Sequence, residues 1–221
     1  MKRIVFISDT HTLHDNLVLP KGDIIVHAGD VASRGSIPEV KEFLEWFSKL
    51  PYTYKIFIAG NHDFAFERYL DVMTNLLQEF PDVIYLQDLA VMVDGVKFYG
   101  SPWQPEFYNW AFNLPRGKRL AEKWALIPDD TDVLITHGPP ATILDYTEYG
   151  NVNVGCEELL KRVYHIKPKI HVFGHIHEGY GYRDINGTTF INASVCTLRY
   201  NPINPPVVVD FDGKSVEFVM N

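Results

Sequence analysis

Five short polar stretches of the chain carry residues able to bind metal: Asp9-x-His11, Gly29-Asp30, Gly60-Asn61-His62-Asp63, Thr136-His137-Gly138 and Gly174-His175-Ile176-His177. Neutral imidazole nitrogens, carboxylate oxygens and amide carbonyls are all ligands, and this mixture suits manganese, iron or zinc better than calcium. Asp9, His11, Asp30, Asn61, His137, His175 and His177 are too many for a single zinc and suit two cations that share a bridging carboxylate. Two cations about 4 Å apart hold the non-bridging oxygens of a phosphate and acidify a shared water, so that hydroxide attacks in line. Taken singly, each Asp or Asn is an ordinary turn former. Turn chemistry does not explain an imidazole at four of the five stretches.

Each stretch follows an apolar run. Arg3 to Ile7, Ile24 to Ala28, Tyr54 to Ala59, Val133 to Thr136 and Lys169 to Phe173 are predicted strands, continuous enough in apolar character to be buried on both faces. Helices are expected from Ile37 to Leu50 with Ser36 as cap, Tyr69 to Phe80, Lys118 to Ile127 and Cys156 to Ile166. Hairpins are expected around Asp94-Gly95, Asn186-Gly187 and Asp212-Gly213, the last pairing Val207 to Phe211 with Val216 to Val219. Strands alternating with helices give parallel pairing and hairpins give antiparallel pairing, so the sheets are expected to be mixed. Ligands gather at the carboxyl ends of parallel strands, where all five polar stretches fall.

No internal repeat or linker divides the 221 residues, which are read as one domain, 1–221. The apolar runs are far too short to span a bilayer, and the first residues fail as a secretory signal. Cys156 and Cys196 lie in apolar contexts without metal-ligand spacing, which favours reduced thiols and a cytoplasmic protein. A formal charge of −8 argues against a broad nucleic-acid surface. Nothing in the sequence addresses oligomeric state.

In order and type, the five stretches resemble the motifs of the calcineurin-like metallophosphoesterases. Ser101 to Pro105, Phe112 to Gly117, His171 to Gly181 and Asn192 to Cys196 are more narrowly similar to the metallophosphoesterase-domain-containing proteins, a subgroup like the class III cyclic-nucleotide phosphodiesterases. The resemblance implies a four-layer αββα sandwich of two mixed sheets flanked by helices, holding two divalent metals, with manganese favoured and iron, zinc or magnesium as alternatives. It places Asp9, His11 and His177 on one metal, Asn61, His137 and His175 on the other, and Asp30 between them. His62 would then be catalytic, giving a proton to the leaving oxygen. The implied activity is phosphodiester hydrolysis; a phosphomonoesterase, a catalytically weak nucleotide-binding protein and a scaffold of the same fold are the alternatives.

Gly29-Asp30-Val31-Ala32-Ser33-Arg34-Gly35 departs from the Gly-Asp-x-x-Asp-Arg-Gly pattern of the protein phosphatases: Ser33 stands where an acid would orient the histidine. Arg34 keeps its register and is a candidate phosphate contact. Asp63 is expected to hold a loop hydrogen bond rather than a metal. Residues 101–117 form a long aromatic loop in which Trp103, Phe107, Tyr108, Trp110 and Phe112 either stack a nucleobase or plug the core. Asn113 and Arg116 are candidate phosphate or sugar contacts, and the expected partner is a small phosphoester, a nucleotide first.

Overall fold

The computed structural model describes residues 1–219. In chain order, β1 (Lys2–Ile7), β2 (Ile24–His27), α1 (Ile37–Ser48), β3 (Tyr54–Phe57), α2 (Phe64–Arg68), α3 (Leu70–Gln78) and β4 (Val83–Tyr85) come first. β5 (Leu89–Val93), β6 (Val96–Ser101), β7 (Gln104–Pro105), β8 (Asn113–Leu114), α4 (Lys118–Trp124), β9 (Val133–Thr136), β10 (Tyr146–Thr147) and β11 (Val152–Asn153) follow. The chain continues with α5 (Glu157–Ile166), β12 (Ile170–Phe173), β13 (Gly181–Ile185), β14 (Thr188–Asn192), β15 (Val207–Phe211) and β16 (Val216–Phe218).

Two six-stranded mixed sheets result, ordered β16-β15-β1-β2-β3-β4 and β13-β14-β12-β9-β6-β5. β1 through β4 run parallel, as do β6, β9, β12 and β14, while β5, β13, β15 and β16 join antiparallel. Alternation along the strands sorts their side chains into layers. Ile4, Phe6, Ile24, Val26 and Ile56 meet Phe98, Val133, Ile135, Ile170 and Val172 between the sheets. The intervening Val5, Ile7, Ile25 and Phe57 face Phe43, Phe47 and Met73 of α1 and α3, and Leu134, Phe173 and Phe190 face Leu120, Trp124, Leu159 and Val163 of α4 and α5. Both faces of each sheet are covered, which is why the central strands are continuously apolar.

The helix expected over 69–80 differs from the structure. Tyr69 sits at φ −128°, outside helical space, and divides α2 from α3. α1 starts as its sequence dictates, with Ser36 and Glu39 forming a reciprocal capping box. The aromatic loop contains the short parallel pair β7–β8, a pairing too brief to leave a sequence period. Among the described residues no helix is long and apolar enough to cross a membrane.

Candidate metal centre

The two sheets touch at the carboxyl end of β1. Ser8 forms a parallel bridge with Ser194, and the Val195 amide donates to the Ser8 carbonyl at 2.9 Å. Two sets of parallel strands therefore release their chains at the same place. The tips after β2, β3, β9 and β12 line one cleft of about 700 Å³, with Asp30, Asn61, His62, His175 and His177 among its residues.

The backbone is bent to bring these side chains inward. Asp9 (φ 56°), His11 (φ 44°), Asp30 (φ 58°) and His175 (φ 67°) all occupy the left-handed region, which costs a non-glycine residue about 1–2 kcal/mol. The preceding glycines serve close approach. A Cβ at Gly174 would stand 2.0 Å from Asp9 Oδ2, and one at Gly60 would stand 2.3 Å from Asp30 Oδ1.

The candidate ligand atoms fall into three overlapping groups, Asp9 with His11 and His177, Asp30 with His137 and His175, and His11 with Asp30 and His62 between them, the atoms of each group lying within 4.8 Å of one another. In the first, His177 Nε2 is 3.3 Å from His11 Nε2 and 3.4 Å from Asp9 Oδ1. In the second, His137 Nε2 is 2.8 Å from Asn61 Oδ1 and 3.4 Å from Asp30 Oδ1. Asp30 faces both: its other oxygen, Oδ2, lies 3.9 Å from His11 Nε2 and 4.0 Å from His62 Nε2.

Surrounding groups set the tautomers. His177 Nδ1–H donates to Thr197 O and His137 Nδ1–H to Ala28 O, both at 2.9 Å, leaving each Nε2 turned into the centre. The Asp9 carboxylate accepts from the His175 amide at 3.0 Å and from Ser194 Oγ at 2.7 Å. Two converging sets of imidazole and carboxylate donors, one joined by an amide oxygen, fit divalent cations. Burial pushes His11 down to about 4 and His175 down to about 3. Burial also opposes a charge on His137 and His177, but Asp30 and Asp9 outweigh it and hold both near 9. Asp9 and Asp30 pay burial too, yet His177 and His137 keep both carboxyls below the usual range.

His62 Nδ1–H donates to the main-chain carbonyl of Ser33 at 2.7 Å. The orienting role expected of an acid at position 33 thus falls to the backbone, and Ser33 Oγ instead donates to His11 O at 2.8 Å. Asp63 accepts from the amides of Gly60, Ala32 and Val31 at 2.8, 2.9 and 3.2 Å, cross-linking two ligand loops.

The structure places the expected substrate contacts unequally. Trp103 donates from its indole to Asp88 and lies beneath the Lys123 ammonium, outside the cleft lining. Asn113 is spent on the carbonyls of Phe107 and Tyr108, shaping the loop from within. Arg34 is exposed and outside the lining, its amide bound by Glu39 of the α1 cap. Arg116 reaches the cleft, but its guanidinium is held by Val154 O, Gly155 O and Glu157. Phe107 and Tyr108 do line the cleft, as does Trp110, while Phe112 is fully buried. The aromatic loop is therefore half plug and half wall.

Tyr200 is a cleft residue that no motif marked. Its ring lies 4.8 Å from that of His11 and 5.5 Å from that of His177, on a turn whose Thr197 carbonyl also holds His177. A tyrosine between Arg199 and Asn201 carries no periodic or motif signal that would place it there.

Two helix-covered sheets whose strand tips converge on Asp, Asn and His side chains are the frame of a metal-assisted hydrolase. The chain belongs to the calcineurin-like phosphoesterase family, whose model matches residues 2–179. It is 49% identical to metallophosphoesterase domain-containing protein 1 of Homo sapiens, over 94% of this chain and 70% of that protein. A UPF0046 protein of Caenorhabditis elegans is 40% identical over 93% of this chain and 74% of its own length. Among solved structures, the phosphopantetheinyl hydrolase of Mycobacterium tuberculosis has a similar fold, with a TM-score of 0.63 at 18% identity, covering 89% of this chain and 90% of that one.

Proposed function

We propose that the protein hydrolyses phosphodiesters at a centre of two divalent cations, manganese first, with small or cyclic nucleotides as substrates. The observation that carries this reading is the placement of Asp30, whose two oxygens face the two ligand groups separately. Asp9, His11 and His177 would hold one cation, Asn61, His137 and His175 the other, and Asp30 both. When bound, the cations supply positive charge to the phosphoryl oxygens and acidify water.

The chain's own groups do the rest. His62, held through Nδ1 and turned to the cleft by Nε2, donates a proton to the leaving oxygen. Phe107 and Tyr108 offer π-faces to a base. Arg116 is already committed to Glu157 and two carbonyls, so the cleft favours a diester's single charge over a monoester's double charge. The buried free thiols Cys156 and Cys196 support a cytoplasmic setting.

The test is turnover of aryl and nucleotide diesters against the matching monoesters, before and after chelation and manganese reconstitution. We expect loss on chelation, recovery on reconstitution and faster turnover of diesters. Diester cleavage that survives chelation would overturn the metal reading, and faster monoester cleavage would make the protein a phosphomonoesterase.

A further inference from the structure

The hydrogen bond from His62 Nδ1 to Ser33 O directs one ring nitrogen, and the two faces of the imidazole are held by packing. A proton donor needs its second nitrogen aimed, so whatever packs on the ring shares with that bond the setting of its plane. The indole of Trp110 lies against the imidazole with centroids 4.2 Å apart and planes 31° from parallel. His11 meets the same ring edge-on at 4.6 Å.

Trp110 is itself held. Phe64 stacks on it at 5.9 Å and 25°, and the Arg68 guanidinium caps Phe64 at 4.1 Å. The next residue, Ala111, donates its amide to Asn61 O at 3.1 Å, and Phe112 donates to Glu67 at 2.8 Å. The aromatic loop is thus fastened to the very turn that carries Asn61 and His62.

We propose that Trp110 is a positioning residue that sets the plane of His62 so that Nε2 faces the leaving oxygen. This rests on the reading of His62 as proton donor. As the P–O bond breaks, its electron pair stays on the leaving oxygen, which takes the Nε2 proton, and His62 recovers a proton from solvent. A leaving group such as p-nitrophenolate departs without that proton, whereas phenolate and alkoxides need it. Loss of positioning therefore falls on poor leaving groups.

The experiment measures kcat and KM of the manganese-reconstituted full chain on methyl aryl phosphodiesters from p-nitrophenyl to phenyl. Trp110→Leu is expected to lower kcat about 10-fold or more for the phenyl ester and less than about 3-fold for the p-nitrophenyl ester, with KM little changed. Trp110→Phe, which keeps a flat ring, is expected to restore most of the phenyl rate. Equal loss across the series, a rise in KM alone, or loss of metal from Trp110→Leu would each overturn the positioning role. His62→Ala tests the reading beneath it: a steepened leaving-group dependence supports the proton donor, and an unchanged dependence overturns it whatever Trp110 does.

Discussion

Asp9, His11 and His177 form one candidate group and Asp30, Asn61, His137 and His175 another, each with a carboxylate and two imidazoles, one of them anchored through Nδ1. Their anchors differ. His137 is fully buried and donates to Ala28 O at the end of a central strand, whereas the 9%-exposed His177 side chain donates to Thr197 O in the turn that carries Tyr200. A ligand locked to the middle of a sheet moves only if the sheet moves; one locked to a surface turn follows the turn. If each group holds a cation as proposed, the Asp9 group is expected to exchange its own more readily than the Asp30 group.

Removing Asp30 should erase the distinction between the groups. Asp30→Ala is expected to lower diester turnover about 10³-fold or more, with both cations lost on elemental analysis. Removing one histidine should expose the distinction instead. His177→Asn is expected to leave one cation bound and His175→Asn to affect the other group; equal loss of both cations from His177→Asn would count against the division. The finest effect is in proton release. His137 and His177 stay protonated below about 9 in the metal-free protein, so each group must expel one proton to bind. Affinity should rise with pH up to about 9, by about 10-fold per unit for each group, and then level off. Calorimetry at pH 7.5 in buffers of different ionisation heat should count about two protons released per two cations.

The five strand tips were legible because apolar runs ending in Asp, Asn or His are visible without knowing any contact. The hairpins at Asp94-Gly95, Asn186-Gly187 and Asp212-Gly213 were legible for the same local reason, and all three form. The partners of Trp103 and Arg116 were not legible, since Asp88, Val154 and Glu157 are 15 to 41 residues away and only packing reveals that those side chains are occupied. Tyr200 went unseen since its neighbours His11 and His177 are brought to it by the meeting of two sheets.

The contact from His62 to Ser33 O has a consequence for how this site can vary. A main-chain carbonyl is present whatever residue occupies position 33, so this anchor of His62 is written in the path of the chain rather than in its alphabet. Side-chain scanning at position 33 is blind to it. Replacing the 33–34 amide by an ester weakens that carbonyl as an acceptor without changing a side chain, at the loss of the Arg34 N–H that Glu39 binds.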